Sequence, residues 1–268
     1  MHHLDTPEET LMTQQSRFGF VAVLLCLALL SGAAITQART FDTYYTCLPG
    51  TVTAVVLTNA SAYASDQAFV LTLHDAHGTT LATVADSLDP YESKVVFLNE
   101  LVVEADEFSW GLLHIDANVL LQIGVWIGTE SSWVSVTNLR AQTLSTEGLD
   151  IVYFWYGANY ANTENRRAGI GLVNPGGVPA TGTVYAYDSS GELLNYSDFT
   201  LEPYSSAYFK PETVFPVGQE LWGLIDIRSS GEIVVVSEYY DAAGTMLDVD
   251  IIDSVYYLQA QDPESGDS

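Results

Sequence analysis

Lysine is nearly missing from this chain. Of 268 residues only Lys94 and Lys210 carry that side chain, and all basic residues number 8 against 34 acidic ones, a formal charge of −26. Such a surface repels phosphate backbones and anionic lipid heads, which sets nucleic acid and membrane surfaces aside as partners. Cysteine is almost as scarce. Cys26 lies in a segment expected to be removed, which leaves Cys47 alone and rules out an internal disulfide. The stretch "YYTCLPG" offers no nearby base or cation, so Cys47 is expected to be inert or at most to meet another chain. Also lacking are a phosphate-gripping glycine loop, a zinc ligand pair, a nucleophile elbow and a calcium loop with its run of oxygen ligands. No cofactor is expected.

The longest apolar run, "FGFVAVLLCLALL" (18 to 30), falls short of the roughly 20 residues that span a bilayer. It follows Arg17 and precedes small residues in "SGAAITQA", the order of a secretory signal peptide, with Thr36 and Ala38 before the cut. Met12 would make a more usual start than Met1. Residues 1–38 are therefore expected to leave, and the mature chain is expected to be secreted or periplasmic, with no transmembrane segment. Its formal charge becomes −24, since three acids and one base depart. With 48% hydrophobic residues the chain still has apolar mass for packed cores. A saline habitat would account for the acidic surface, because screening relieves carboxylate repulsion.

The remainder is written twice. "AVVLTNASAYASDQAFVLTLHDAHGTTLATVADSLDPYES" (54 to 93) runs alongside "GIGLVNPGGVPATGTVYAYDSSGELLNYSDFTLEPYSS" (169 to 206). Asn59 falls on Asn174, Asp75 on Asp188, Gly78 on Gly191, Pro90 on Pro203 and Tyr91 on Tyr204; "WGLLHI" (110 to 115) then matches "WGLIDI" (222 to 227). A period near 113 residues suits a whole domain. Two modules are expected, 39–146 and 147–258, joined through the polar stretch 141–150 and followed by an acidic tail, 259–268. Within each, apolar residues alternate: Phe69, Leu71 and Leu73 share a face, as do Val184 and Ala186. Strands are expected at 151–156, 168–173, 193–199, 205–210, 221–227, 233–240 and 246–252. Turn residues recur every 8 to 12 positions or so and no helical pattern competes, so the fold class is all-β: two tandem Ig-like antiparallel β-sandwiches.

"LTLHDAHGTTL" invites a metal reading through His74 and His77. Its counterpart in the second copy is "YDSSG", and "YDAAG" follows at 240 to 244, so only Asp-x-x-Gly persists. Asp75, Gly78, Asp188, Gly191, Asp241 and Gly244 are expected to build hairpin turns, the acid accepting from the next amides and the glycine taking a positive φ. "LDPY" and "LEPY" read as strand-ending corners. No metal site is expected.

"VYFWYGANYANTENRRAGIGLVNPGGVPATGTVYAYDSSGELL" resembles the repeats of uncharacterised bacterial exported β-sandwich proteins, in which an aromatic strand precedes a strand ending in Asn-Pro and a Tyr-Asp-x-x-Gly hairpin. More distantly the outline is similar to the sensory rhodopsin transducer family. The resemblance spans most of the second copy and fits the first less well. It implies fold and export and brings no catalytic residues with it.

Candidate chemistry is thin. Asp106 with Glu107, or Asp248 with Asp250, could be drafted as a glycosidase pair, yet the latter alternate with Leu247, Val249 and Ile251 and so share the water side of a strand. His114 aligns with Asp226 and is expected to be structural. The strongest signal is "YFWYGANY" (153 to 160): Tyr153, Trp155, Tyr156 and Tyr160 beside a polar loop suit stacking on sugar faces or gripping a protein strand. The expectation is an exported, non-enzymatic interaction or surface-structural protein, with protein or polysaccharide as partner. The alternatives are a carbohydrate-binding tandem using that strip and a carboxylate-dependent hydrolase at an interdomain cleft.

Overall fold

Seventeen antiparallel strands fill the described part of the chain, which in the computed structural model comprises residues 38–48, 50–102, 109–129, 132–138, 151–215, 221–252 and 255–258. The expected signal segment before Ala38, Cys26, Asp106, Glu107, the expected boundary at 141–150 and the expected tail at 259–268 lie outside it.

The first eight strands are β1 (Ala38–Thr46), β2 (Thr51–Asn59), β3 (Gln67–His74), β4 (Thr80–Leu88), β5 (Ser93–Phe97), β6 (Trp110–Asn118), β7 (Leu121–Thr129) and β8 (Ser132–Asn138). They form two four-stranded sheets, β1-β6-β3-β4 and β5-β2-β7-β8. The next eight are β9 (Ile151–Asn162), β10 (Arg167–Val173), β11 (Ala180–Asp188), β12 (Leu193–Leu201), β13 (Ser206–Phe209), β14 (Leu221–Ser229), β15 (Val234–Tyr240) and β16 (Met246–Ile252). Their orders, β12-β11-β14-β9 and β13-β10-β15-β16, copy those of the first half strand for strand. The pair Asn162↔Arg167, where β9 hands over to β10, merges both into one nine-stranded sheet, and β17 (Val255–Leu258) pairs with the start of β9 on the edge away from β14. Helical structure among the described residues is confined to a 3-10 turn at Leu98–Glu100 and α1 (Pro211–Val214), which follow β5 and β13 respectively.

Most strands keep the alternation written in the sequence. Phe69, Leu71 and Leu73 are 0–1% exposed while their neighbours on β3 face outward, and each buried Leu or Phe contributes about 1.5–3 kcal/mol. Two elements depart from the expectation. β9 runs six residues past Tyr156, because Gly157–Asn162 pairs with Leu221–Asp226 on β14. β15 is buried along both faces. Val235 and Tyr239 enter the core of the second half, whereas Val234 and Val236 join Val173, Met246 and Val249 in a cluster with the first half's Phe69, Leu71, Val125 and Ile127. The strands from Arg39 onward thus form one compact unit with an apolar junction between the halves.

Two devices recur at equivalent points. Asn59 and Asn174 are 0% and 2% exposed, and each side-chain amide donates to three carbonyls: Ala64, Leu88 and Asp89 for the first, Val178, Leu201 and Glu202 for the second. Each plug ties the end of one strand to the corner after another. In those corners Glu92 N donates to Asp89 O and Ser205 N to Glu202 O, with Tyr91 and Tyr204 both at φ 61°.

Candidate functional site

The three Asp-x-x-Gly hairpins share one construction. Asp75 Oδ1 accepts from the amides of His77 and Thr79 at 2.9 and 2.8 Å, Asp188 Oδ1 from Ser190 and Glu192, and Asp241 Oδ1 from Ala243 and Thr245. Gly78, Gly191 and Gly244 close the loops at φ 84–85°, a region open to glycine at little cost. The Ser190 hydroxyl and then the Glu192 amide hold the Asp188 carboxyl below its ordinary value. His74 does not turn towards His77. Its ring lies flat on Tyr204, centroids 5.1 Å apart at 15°, and His77 sits at the exposed tip.

The aromatic strip divides. Tyr156 and Tyr160 are 1% and 2% exposed in the core of the second half, and the Tyr156 hydroxyl accepts from Ile233 N. The expectation that these two rings meet a ligand is therefore corrected: with Phe154 and Ala158 they hold the inward side of β9. Tyr153 and Trp155 hold its outward side, half-buried. A Cβ added at Gly157 would stand 3.0 Å from the Trp155 ring, so the indole lies along the strand over the glycine, where any side chain would lift it. Across β14 and β11 the same face carries Arg228, whose Nη2 donates to Asp226 Oδ2 at 2.9 Å and whose guanidinium stands over the rings of Tyr185 (4.8 Å) and Tyr153 (5.6 Å). Tyr196 on β12, 59% exposed, sits 6.0 Å from Tyr185. The outcome is a face of rings with an ion pair set among them, built by four strands and bringing together Tyr153 and Arg228, 75 positions apart.

A second feature lies at the junction of the halves, where a cavity of about 460 Å³ opens above Glu238. This carboxylate is 1% exposed; Oε1 accepts from the Tyr44 hydroxyl at 2.8 Å and Oε2 from Tyr240 at 2.5 Å. Burial raises its pKa against the opposing pull of these hydroxyls, and burial likewise pushes Tyr44, Tyr208 and Tyr240 well up. Gly169, opposite Glu238 in the β10–β15 register, leaves the space that the Tyr208 hydroxyl fills. Trp110 packs between Tyr44 and Tyr208 at 6.2 and 5.8 Å, and Arg167 and Lys210 stand at the mouth. Sequence reasoning passed over Glu238. A lone acid inside "IVVVSEYY" was the available signal, since an acid on a strand with apolar residues on both faces has to be accounted for.

Of the other acids and histidines singled out in the sequence, Asp248 and His114 are tied into local pairs. Asp248 lies 3.7 Å from Arg166, which also stands over the Tyr239 ring, and burial, with Asp248 adding to it, raises the neighbouring Asp250. His114 Nδ1 is 2.6 Å from Asp42 Oδ1 and Nε2 is 3.4 Å from Asp116 Oδ2. Asp116 occupies the position of Arg228 and His114 that of Asp226, so the two halves place the same pair with its signs exchanged.

No protein-family model matches this chain, and no curated protein does. Among solved structures it is similar to a β-glucuronidase of Bacteroides uniformis (12% identity, TM-score 0.18, 82% of this chain and 26% of that one). A glycosyl hydrolase family 2 member from Bacteroides cellulosilyticus gives 7% identity and a TM-score of 0.19 over 81% of this chain and 28% of that one. The apo lectin of Pleurotus ostreatus gives 11% and 0.19 over 85% and 79%. The chain spans about a quarter of the length of the glycosidases it matches. Scores of this size carry no argument; the class that the fold defines is an antiparallel all-β sandwich, and the functional reading rests on the faces just described.

Proposed function

We propose that this is an exported, non-enzymatic interaction protein and that the outward face of β9, β14, β11 and β12 holds a polysaccharide. The observation that carries the reading is Trp155. Its indole rests on Gly157 with no ring stacked on it among the described residues, and Tyr196 lies exposed on the same face. Flat rings set at intervals on a rigid sheet suit the apolar faces of successive sugar units, and Arg228, half-exposed and held in place by the buried Asp226, supplies a donor for hydroxyls between them. Export rests on residues 17–38. A hydrolase has less support: each oxygen of Glu238 already accepts a tyrosine proton, which leaves it poorly placed to take one from water.

Affinity electrophoresis in gels cast with neutral and acidic polysaccharides tests the reading. Retardation by one of them, lost at least tenfold in Trp155→Ala and reduced in Tyr196→Ala, is the expected result. Retardation that survives both substitutions would reject this face as the site.

A further inference from the structure

Each half of the chain carries both sides of the contact that joins the halves, yet the chain uses one side of each. From the first half comes a projecting side: the Ala76–Gly78 hairpin tip, His74 and Trp110. The second half supplies a receiving side: the Pro203–Ser206 corner and the outer face of β13, β10 and β15. Contact is close. Ser206 N donates to Ala76 O at 2.9 Å, His74 stacks on Tyr204, Trp110 packs on Tyr208, and a Cβ at Gly78 would stand 2.6 Å from Pro203 O.

The unused counterparts lie open. On the second half Trp222, in the place of Trp110, is 62% exposed, and a Cβ at Gly191, in the place of Gly78, would meet nothing within 4 Å. On the first half Tyr91, in the place of Tyr204, is 70% exposed. Beside it Val95 (47%) and Phe97 (39%) on β5 are exposed, with Phe97 stacked on Trp133 (42%) of β8, whose strand also touches β16, whereas Val236 and Glu238 on the equivalent face of the second half are 0% and 1% exposed. Large apolar side chains gathered on one face of a sheet mark a surface that expects cover.

We infer that a second copy of this chain provides that cover: the Trp222 side of one molecule seats on the Tyr91–Val95 side of the next, repeating between molecules the contact that already joins the halves within one. Tyr187, in the place of His74, then stacks on Tyr91. Because the two sides differ, the contact is heterologous and propagates head to tail, closing into a ring or running on as a filament. Trp155 pairs with Arg228, six residues along β14 from Trp222, and the inference does not depend on polysaccharide binding. The formal charge of −26 opposes the approach of like molecules, so association strengthens as salt is added.

Sedimentation velocity on the full chain and two single variants decides the matter. Wild type is expected to form species larger than a dimer, growing with concentration up to about 0.5 mM and with salt up to about 1 M. Trp222→Asp, which spoils the projecting side, and Val95→Asp, which spoils the receiving side, each remain monomeric alone. Mixed together they give a dimer and nothing larger, because one intact side of each kind remains. Both positions are exposed, and thermal transitions matching wild type confirm that the variants fold. A wild type that stays monomeric throughout that range overturns the inference, as does self-association of either variant alone or a mixture that fails to pair.

Discussion

His114 shows how far one side chain's surroundings shape its behaviour. The hydrogen bond its Nδ1 donates to Asp42 raises its pKa above the ordinary 6.5, against a smaller opposing effect of burial, with the charges of Asp42 and Asp116 adding to it and Glu232 near Asp42. A folded-state value above the unfolded one means that the folded chain holds the proton more tightly. The stabilisation is then complete below the unfolded value and is lost as pH rises through the folded one. His114→Gln should accordingly unfold at lower urea than wild type at about pH 5.5, with the gap closing by about pH 9. A gap of equal size at both ends would mean that the pair contributes no proton-linked stability. In the second half the same two positions hold Asp226 and Arg228, and the hydrogen bond to Asp226 raises the pKa of Arg228 further.

At the scale of elements, the corners after β4 and β12 carry a local cost that packing repays in one case only. A non-glycine residue at φ 61° costs about 1–2 kcal/mol. Tyr204 recovers part of that through its stack on His74, while Tyr91 projects into solvent. Tyr91→Gly is expected to stabilise the isolated molecule by about 1 kcal/mol, read as a higher urea midpoint at unchanged slope. Tyr204→Gly should gain less or lose. Elements were the level most legible in the sequence. Period-two alternation and the repeated Asp-x-x-Gly turns mark β3, β11 and their hairpins because both signals are local. What escaped depends on partners far along the chain. Tyr44 reaches Glu238 across 194 positions, and nothing near Tyr156 or Tyr160 tells that their side of β9, and not that of Tyr153, faces inward. Trp110 and Trp222 begin almost identical strings, yet one is packed and the other exposed, since the difference lies in what stands opposite.

For the molecule as a whole, the excess of acid sets the conditions under which these contacts hold. Glu232 and Glu238 are both drawn into the junction, where burial raises the pKa of each, and few basic residues offset the acids elsewhere. Moving from about 0.1 M to 1 M salt shortens the screening length from roughly 10 to 3 Å and should raise the thermal midpoint by relieving this repulsion. A midpoint that stays flat would detach the composition from any saline setting. Cys47 brings a different consequence. It is 1% exposed, and burial lifts its thiol to about 12, so the folded chain holds almost no thiolate for an oxidant to find. Two chains tied through sulfur would each have had to open first, which makes the covalent dimer on a non-reducing gel a record of past unfolding.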